Sequence, residues 1–340
     1  MTRDEAIALS LVPNLSRVGL TERLRMDDPK LLEEARRLLE LARAARLRAE
    51  SVGAGVVTWN DPRFPSALLA LPDAPPALWY RGALEAFLAP AVAIVGSRAA
   101  SPAALETAAR LGSDLAAYGI TVVSGLARGV DSAAHRGALQ SGRTVAVLGS
   151  GIDRVYPREH TTLAESIARD GLVVSEYPPG TPPLPFHFPM RNRLISGLSM
   201  AVVVVEANEK SGSLITAACA LEQGREVMAV PGSVLSGRNR GAHALIRDGA
   251  KIVEGVEDIV DELGWADHGN QPNQSRASVG KSTTFRDPLL SLMEGGQAYD
   301  LDGLVVATGI SGVRLLSRLL ELELQGNVHR VEGGRFMRRI

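Results

Sequence analysis

The stretch VAIVGSRAASPAALETAARLGSDLAAYGITVVS, residues 92–124, decides the fold. It begins with a short apolar run, passes through a Gly-Ser loop into a helical segment, and ends in a second apolar run. The two runs are apolar at nearly every position, which is typical of strands that are buried on both faces. A strand, a helix and a second strand in this order predict a right-handed crossover between two parallel strands.

The same alternation continues to about residue 263. The apolar runs lie at 92–95, 120–123, 144–148, 172–174, 201–206, 226–230 and 251–253. The helical stretches between them lie at 103–118, 130–140, 161–168 and 214–223. This pattern predicts an α/β domain over residues 92–264 that is built on a doubly wound parallel sheet.

The segments that flank this domain have other patterns. Apolar residues at helical spacing predict an N-terminal helical domain over residues 1–50, similar to SAM or helix-hairpin-helix units. Prolines between residues 51 and 91 predict a connecting segment that packs on the core without regular elements. Residues 265–284 are polar and predict a linker. Residues 285–340 have the pattern of two helices and a hairpin, which predicts a winged helix.

Composition excludes several classes of protein. The chain has 340 residues, 45% of them hydrophobic and 22% charged, with a net charge of −1, so no global basic field attracts nucleic acid. The single cysteine, Cys219, indicates a reducing compartment, and no apolar run has the length of a membrane helix. We therefore expect a cytoplasmic protein that does not bind membranes. The histidines lack metal-ligand spacing and no catalytic triad or carboxylate pair is evident, so we predict no catalytic residue, metal or cofactor.

Four of the predicted strands are followed by Gly/Ser loops that carry an Arg or a Lys. Since the carboxyl ends of parallel strands meet at one edge of a sheet, these loops should lie close together. Glycine-rich loops at helix N-termini bind phosphate groups through backbone N–H groups. The candidate binding residues from these loops are Gly96, Ser97, Arg98, Arg128, Arg158, Lys210, Ser211 and Gly212. They predict several phosphate sites along one edge of the sheet.

The stretch FHFPMRNRLISGLS, residues 186–199, places aromatic and basic side chains beside the same edge. Phe186 and Phe188 can stack on bases, or they can pack in the core. Arg191 and Arg193 can bind phosphates or bases, or they can form structural ion pairs with acids such as Glu176. Residues 92–262 contain 16 Lys and Arg against 18 Asp and Glu, so a cationic edge would be local and would suit one DNA strand.

These motifs resemble the DNA-processing protein A family (DprA, also called Smf). The resemblance rests on AIVGSR (93–98), SGLARGVDSAAHRGAL (124–139), LGSGIDRVYPREH (148–160), SEYPPG (175–180), FPMRNRLISGLS (188–199), EKSGSLITAACALEQGREVMAVPG (209–232) and GAHALIRDGAK (241–251). It implies an extended Rossmann-like domain that binds single-stranded DNA and forms a homodimer. It also implies loading of the recombinase RecA onto the DNA strand during natural transformation, in competence and DNA recombination.

The resemblance implies roles for particular residues. The positions that match DNA-binding motifs of the family are Gly96, Ser97, Arg98, Arg158, Phe188, Arg191 and Asn192. Family members often carry a basic residue shortly before the Phe-Pro pair, whereas this chain has Pro185 there, which shifts one expected phosphate contact. The winged helix is a variable appendage of the family.

Two alternative functions remain open at this stage. The segment 210–224 also resembles phosphoribohydrolases of the Lonely Guy type, which carry a catalytic Glu early in the following helix. This chain has Ala217 and Ala218 there, and Glu222 comes more than a turn later. A duplex-reading winged helix is the other alternative, although residues 285–340 contain seven basic and seven acidic residues, without the basic excess that duplex binding favours.

Overall fold

The computed structural model describes residues 2–13, 19, 20, 23, 26, 28–265, 298–308, 315, 319, 322, 328–331 and 335–338. Parts of three predicted segments lie outside this set. They are residues 14–18 of the predicted N-terminal helical domain, residues 266–284 of the predicted linker, and most of the second predicted helix of the winged helix. The chain divides into two compact units, Met1–Gln271 and Pro272–Ile340. Within the described residues, no helix combines the length and the apolar character that crossing a membrane requires.

The first unit is built on a nine-stranded sheet. Its strands are β1 (Gly55–Thr58), β2 (Ala77–Gly82), β3 (Ala91–Gly96), β4 (Thr121–Ser124), β5 (Thr144–Leu148), β6 (Leu172–Ser175), β7 (Ala201–Val205), β8 (Glu226–Ala229) and β9 (Lys251–Ile252). Their order across the sheet is β1-β2-β6-β5-β4-β3-β7-β8-β9. The strands from β6 to β9 are parallel, and β1 and β2 add an antiparallel edge. The α/β prediction is confirmed, and all seven predicted strands are present.

Helices cover both faces of this sheet. They are α1 (Arg3–Ser10), α2 (Pro29–Arg37), α3 (Leu39–Ser51), α4 (Ser66–Leu69), α5 (Pro102–Ala117), α6 (Val130–Ser141), α7 (Thr161–Asp170), α8 (His187–Gly197), α9 (Ser213–Glu222), α10 (Arg240–Arg247) and α11 (Val256–Glu262). Short 3-10 helices span Leu84–Phe87 and Arg158–His160. In β3, Ala93 and Val95 pack towards α8 and α9, while Val92 and Ile94 pack towards α5 and α6. Burial on both faces explains why the strand sequences are apolar at successive positions.

The N-terminal helices belong to the same compact unit as the sheet. A capping box between Thr2 and Glu5 starts α1, and the Asp28 side chain accepts a hydrogen bond from Lys30 N at the start of α2. Apolar residues of α1, α2 and α3 share one hydrophobic cluster with Trp79 of β2 and Leu148 of β5. The proposed domain limits at residues 50, 91, 264 and 284 remain predictions.

The prediction that residues 51–91 lack regular elements was wrong. This segment contains β1, β2 and α4, and β2 pairs antiparallel with β6 to extend the sheet. The prolines lie outside the two strands, so they interrupt the chain between elements rather than within them. The strands are short, four and six residues, which hid their pattern in a proline-rich sequence.

The second unit contains β10 (Ala298–Tyr299), α12 (Leu301–Thr308), β11 (Val328–Val331) and β12 (Arg335–Arg338). The strands form a sheet of order β10-β12-β11, in which β11 and β12 are the antiparallel pair at the C-terminal end of the described chain. Leu304, Leu315, Leu319, Leu322, Val328 and Phe336 form its hydrophobic core.

Candidate nucleic-acid interface

The largest concentration of predicted site residues lies where the order of the sheet reverses. The chain moves from β3 outward to β4 on one side and returns to β7 on the other, so the loops after β3 and β7 diverge at the carboxyl edge. A cleft of about 430 Å³ opens there, and we call it the central cleft. Nine predicted residues line it: Gly96, Ser97, Arg98, Phe188, Arg191, Asn192, Lys210, Ser211 and Gly212.

The loop after β3 is fixed by its neighbours. Ser97 N donates to Glu206 O at 2.8 Å, and Ser97 O accepts a hydrogen bond from Val130 N at 3.2 Å. A Cβ at Gly96 would collide with the Val205 carbonyl oxygen, so only glycine fits between β3 and β7 at this point. Gly129, at φ +74°, packs its backbone directly against Ser97 and Arg98. The loop is therefore held from both neighbouring strands, which leaves Arg98 at a defined position.

Arg98 is exposed at the mouth of the central cleft. Its guanidinium carbon lies 5.8 Å from the centroid of the Phe188 ring. It forms no hydrogen bond or ion pair with any other residue that the structure describes. A cation that is placed over an aromatic ring without a carboxylate partner is available to an anionic ligand.

Arg191 is a buried cation beneath the central cleft. Its side chain comes from α8, is 3% exposed, and donates through Nη1 to the carbonyl oxygens of Gly125 (2.8 Å) and Val147. Burial lowers the pKa of Arg191 to about 10, and the opposing attraction to Asp131 helps to keep it protonated at neutral pH. Both main-chain bonds use Nη1, so Arg191 helps to position the loop after β4 and the end of β5. Its predicted contact with a phosphate stays a prediction.

Asp131 is the carboxylate that balances Arg191. Its Oδ2 accepts hydrogen bonds from Gly125 N at 3.1 Å and Ala127 N at 3.3 Å. Burial raises the pKa of Asp131, and the positive charge of Arg191 opposes that rise. A Cβ at Gly125 would lie 2.7 Å from Arg191 Nη2 and 2.8 Å from Asp131 Oδ2, so glycine is needed between them. Together these groups fix the loop that follows β4.

Arg193, which was predicted to bind DNA, forms a buried ion pair and does not line the central cleft. Its Nη2 lies 2.6 Å from Glu176 Oε2 and its Nε lies 2.9 Å from Asp73 Oδ2. Residues two positions apart in a helix point about 200° apart, so Arg191 and Arg193 cannot face the same cleft. The ion-pair alternative with Glu176 is the arrangement that the structure contains.

The loop after β7 presents the N-terminus of α9 to the central cleft. Lys210 is exposed, and its backbone N–H donates to Asn208 Oδ1 at 2.9 Å. Ser211 Oγ lies 2.7 Å from Ser213 Oγ, and Asn192 Nδ2 donates to Gly212 O at 3.4 Å. Backbone N–H groups at the start of a helix carry partial positive charge, which adds to that of Lys210.

Arg128 and Arg158 lie outside the central cleft. The exposed Arg128 makes two hydrogen bonds of 2.7 Å to Glu159, which raise the pKa of Arg128 and lower that of Glu159. Arg128 lines a small side cavity that also contains Arg98, Phe188 and Tyr156. Arg158 lines a separate groove. The four loops therefore do not line one common surface. The loops after β3 and β7 line the central cleft, and the basic residues after β5 line a neighbouring groove.

Only one of the two predicted stacking aromatics reaches the central cleft. Phe188 lines it, and the Tyr156 ring lies 5.4 Å away at an interplanar angle of 48°. Phe186 is 59% exposed and contacts the edge of the His187 ring instead. Tyr156 was missed because it is 32 positions from Phe188 in the sequence, so its approach to that ring depends on the fold.

Comparison with known proteins assigns the chain to a family. Residues 55–264 match the family model described as DNA recombination-mediator protein A. The chain belongs to this family. Residues 275–334 match the DprA winged helix domain, which confirms the predicted winged helix.

Relatives of the family cover most of the chain. Protein Smf of Escherichia coli is 42% identical over 276 residues, which are 80% of this chain and 74% of that protein. DNA processing protein DprA of Streptococcus pneumoniae is 47% identical over 204 residues, which are 60% of this chain and 72% of that protein. The Streptococcus pneumoniae relative is a DNA processing protein by name.

Two solved structures of DprA proteins share the fold. The Streptococcus pneumoniae structure has a TM-score of 0.63 at 40% identity and covers 73% of this chain and 87% of its own. The Helicobacter pylori structure, described by its single-stranded DNA binding mode, has a TM-score of 0.56 at 30% identity. It covers 61% of this chain and 95% of its own. The Rossmann-like assignment of the first unit is thus shown.

Proposed function

We propose that this protein binds single-stranded DNA in the central cleft and loads RecA onto that DNA strand in natural transformation and recombination. The observation that carries the proposal is the placement of Arg98 over the Phe188 ring in a cleft that the N-terminus of α9 also lines. Each nucleotide of a DNA strand carries a phosphate and a base, and this arrangement offers a binding partner to each of them. The similarity to the Helicobacter pylori protein supports the same ligand.

The phosphate half of the proposal rests on exposed cations and helix geometry. Arg98 and Lys210 are exposed residues of the cleft lining, and the first residues of α9 line the same cleft. The carboxylate of Asp131 also lines the cleft; it accepts hydrogen bonds from backbone donors, and its charge is attracted first to Arg191 and also to Arg98. The lining therefore keeps an excess of positive charge on a domain that is slightly acidic as a whole.

The base half of the proposal rests on Phe188. The ring is partly buried, and a Cβ at Gly149 would lie 2.9 Å from it, so the backbone holds it on one side. A base that stacks on such a ring gains about 1–3 kcal/mol without regard to sequence. A duplex keeps its bases paired and stacked internally, so this ring favours single strands.

A titration of matched DNA forms tests the proposal. Fluorescence anisotropy should show tighter binding to single-stranded than to double-stranded DNA of equal length, and Arg98→Gln should weaken the single-strand binding. Arg143→Gln is the control, because Arg143 is also exposed but precedes β5 at the opposite edge of the sheet. Equal affinity for both DNA forms, or equal behaviour of the two variants, would refute the proposal.

We further propose that the bound strand is handed to RecA by a homodimer that acts in the cytoplasm. The resemblance to the family supports RecA loading and dimer formation through the Rossmann-like domain. The expected result is that RecA hydrolyses ATP sooner on DNA coated with a single-strand-binding protein when this protein is present. Light scattering should give twice the chain mass; a monomer at micromolar concentration, or an unchanged RecA lag, would contradict this part.

We also propose that the protein acts by binding and not as an enzyme. The residues of α9 that line the central cleft are Ser213, Ile215 and Thr216, and the exposed Glu222 at the end of α9 is not among them. A phosphoribohydrolase would need a carboxylate early in this helix. Incubation with nucleoside monophosphates should release no free base, and release would favour the enzyme alternative.

A further inference from the structure

A second basic groove lies next to the central cleft. It has a volume of about 650 Å³, and we call it the arginine groove. Its arginines are Arg81 from β2 and Arg154 and Arg158 from the loop after β5. None of the three guanidinium groups forms a hydrogen bond or ion pair with another residue in the described part of the chain. Three unpaired guanidinium groups around one groove indicate a polyanionic ligand.

The acid in the arginine groove is already neutralised. Asp153 Oδ2 lies 3.1 Å from Arg48 Nη2, and Asp153 Oδ1 accepts a hydrogen bond from Gly180 N at 2.6 Å. Its charge is therefore balanced by a residue of α3 rather than by the groove arginines. The positive charges of Arg81, Arg154 and Arg158 are therefore available to an anionic ligand.

A side cavity links the arginine groove to the central cleft through shared lining residues. The side cavity shares Arg98, Phe188 and Arg191 with the central cleft, and it shares Tyr156 with the arginine groove. The Tyr156 ring, 44% exposed, lies between the two surfaces and 5.4 Å from Phe188. Pro182 and Pro183 give the groove an apolar wall. Cations beside apolar walls match the alternation of phosphates and bases in a single strand.

We propose that the DNA strand leaves the central cleft over Tyr156 and continues through the arginine groove, where Arg81, Arg154 and Arg158 bind its phosphates. This inference rests on the proposed function and extends it to a second subsite. It assigns binding roles to Arg81, Arg154 and Tyr156. It also means that the affinity depends on DNA length, since a short strand occupies the central cleft alone.

The test compares oligonucleotides of about 5 and about 20 nucleotides, lengths that bracket most single-strand sites. Affinities of the full chain are measured across a salt series for the Arg81→Gln/Arg154→Gln double variant. Loss of two phosphate contacts should make the slope of log K against log salt less negative by about 1.4 with the long strand. With the short strand the slope and affinity should stay unchanged.

Two further variants control for charge and folding. Arg81→Lys/Arg154→Lys keeps the charges and should retain most of the long-strand slope. Arg136→Gln/Arg143→Gln removes two exposed arginines outside the cleft and the groove, and it should leave both slopes as they are. Far-ultraviolet circular dichroism and thermal melts establish that each variant is folded.

The outcomes separate this inference from the proposed function. An unchanged long-strand slope in the Arg81→Gln/Arg154→Gln variant, with binding still lost in Arg98→Gln, overturns the second subsite and keeps the first. Equal losses for short and long strands also overturn it, because the groove would then belong to the primary site. Failure of the unmodified protein to bind any single strand overturns both.

Discussion

At the scale of single residues, Arg191 and Arg193 show how one helix directs two arginine side chains to different surroundings. Arg191 lies under the central cleft and donates to the loop after β4 and to the end of β5. Arg193 lies on the opposite side of α8, where it joins Glu176 and Asp73. The sequence motif contains both arginines, and only the direction of each side chain decides its role.

Arg193→Gln should destabilise the protein without a direct effect on DNA binding. Glu176 is 1% exposed, and removing one partner of a buried ion pair costs about 3–5 kcal/mol. Arg128→Gln is the control, since the Arg128–Glu159 pair is exposed and such pairs contribute about 1 kcal/mol or less. Urea unfolding measures both values. Similar losses in the two variants would show that the Arg193 pair does not have the energetics of a buried pair.

Phe188→Ala should weaken single-strand binding by about 1–3 kcal/mol, because a stacking surface for one base is removed. Phe186→Ala is the matched control, since Phe186 is the preceding aromatic of the same segment but does not line the cleft. Anisotropy titrations of both variants, with thermal melts, provide the measurement. Equal affinities in the two variants would place Phe188 in the core rather than in the binding site.

At the scale of elements, the start of α9 has a feature that suits a ligand. Gly212 has φ −62°, a value open to any residue, and a Cβ there would meet no atom within 4 Å. The fold therefore does not require glycine at this position, in contrast to Gly96 and Gly125, where a side chain would collide with neighbours. Close approach of a ligand to the backbone is a reason to keep glycine there.

Gly212→Asp should separate stability from binding. Asp near a helix N-terminus is favourable, so the free energy of unfolding should stay level or rise by a few tenths of a kcal/mol. The added negative charge should repel phosphate and weaken DNA binding by about 1 kcal/mol. Gly212→Asn has nearly the same shape without the charge. Equal DNA affinities in the Asp and Asn variants would argue against a phosphate at this helix end.

His135 of α6 should make the fold sensitive to acid. It is fully buried, its Nδ1 lies 2.7 Å from Thr144 Oγ1, and burial lowers its pKa to about 3, with the charges of His160, Arg191 and Arg136 acting in the same direction. The unfolded chain binds this proton near pH 6.5, so its stability contribution is complete above that pH. The contribution is lost as pH falls towards about 3, by up to about 1.4 kcal/mol per pH unit.

The comparison of the native protein with His135→Gln tests this expectation. Urea unfolding between about pH 6.5 and pH 4 should show a shallower loss of stability in the variant, since it lacks the buried titrating group. Parallel curves for both proteins would assign the acid sensitivity to other groups.

The elements that the sequence predicted are those whose apolar pattern is visible within the element itself. The strands from β3 to β7 are buried at nearly every position, and helices separate most of them, so their parallel arrangement follows from the sequence. β2 was missed because its place in the sheet depends on pairing with β6, a contact across about 90 residues of chain, and β1 pairs only with β2. The helix at His187–Gly197 places Pro189 in its first turn, where proline is tolerated. The aromatic and basic stretch at residues 186–199 is therefore mostly helix.

At the scale of the whole molecule, the reversal of strand order creates the central cleft. Glycine-rich loops after β3 and β7 could be predicted to approach each other, since both follow parallel strands. The separation of Arg158 from Arg98 could not, because it depends on the path of the long loop after β5. Tyr156 lies between the two surfaces; Arg154 and Arg158 flank it in the sequence, but its contact with Phe188 depends on the fold.

The most direct test of this account is the salt dependence of single-strand affinity in Arg98→Gln/Lys210→Gln. Both cations line the central cleft, and each should neutralise one phosphate. The account predicts weaker binding of an oligonucleotide of about 5 nucleotides and a slope of log K against log salt that is less negative by about 1.4. A slope and affinity equal to those of the unmodified protein would contradict the claim that the strand is bound in this cleft.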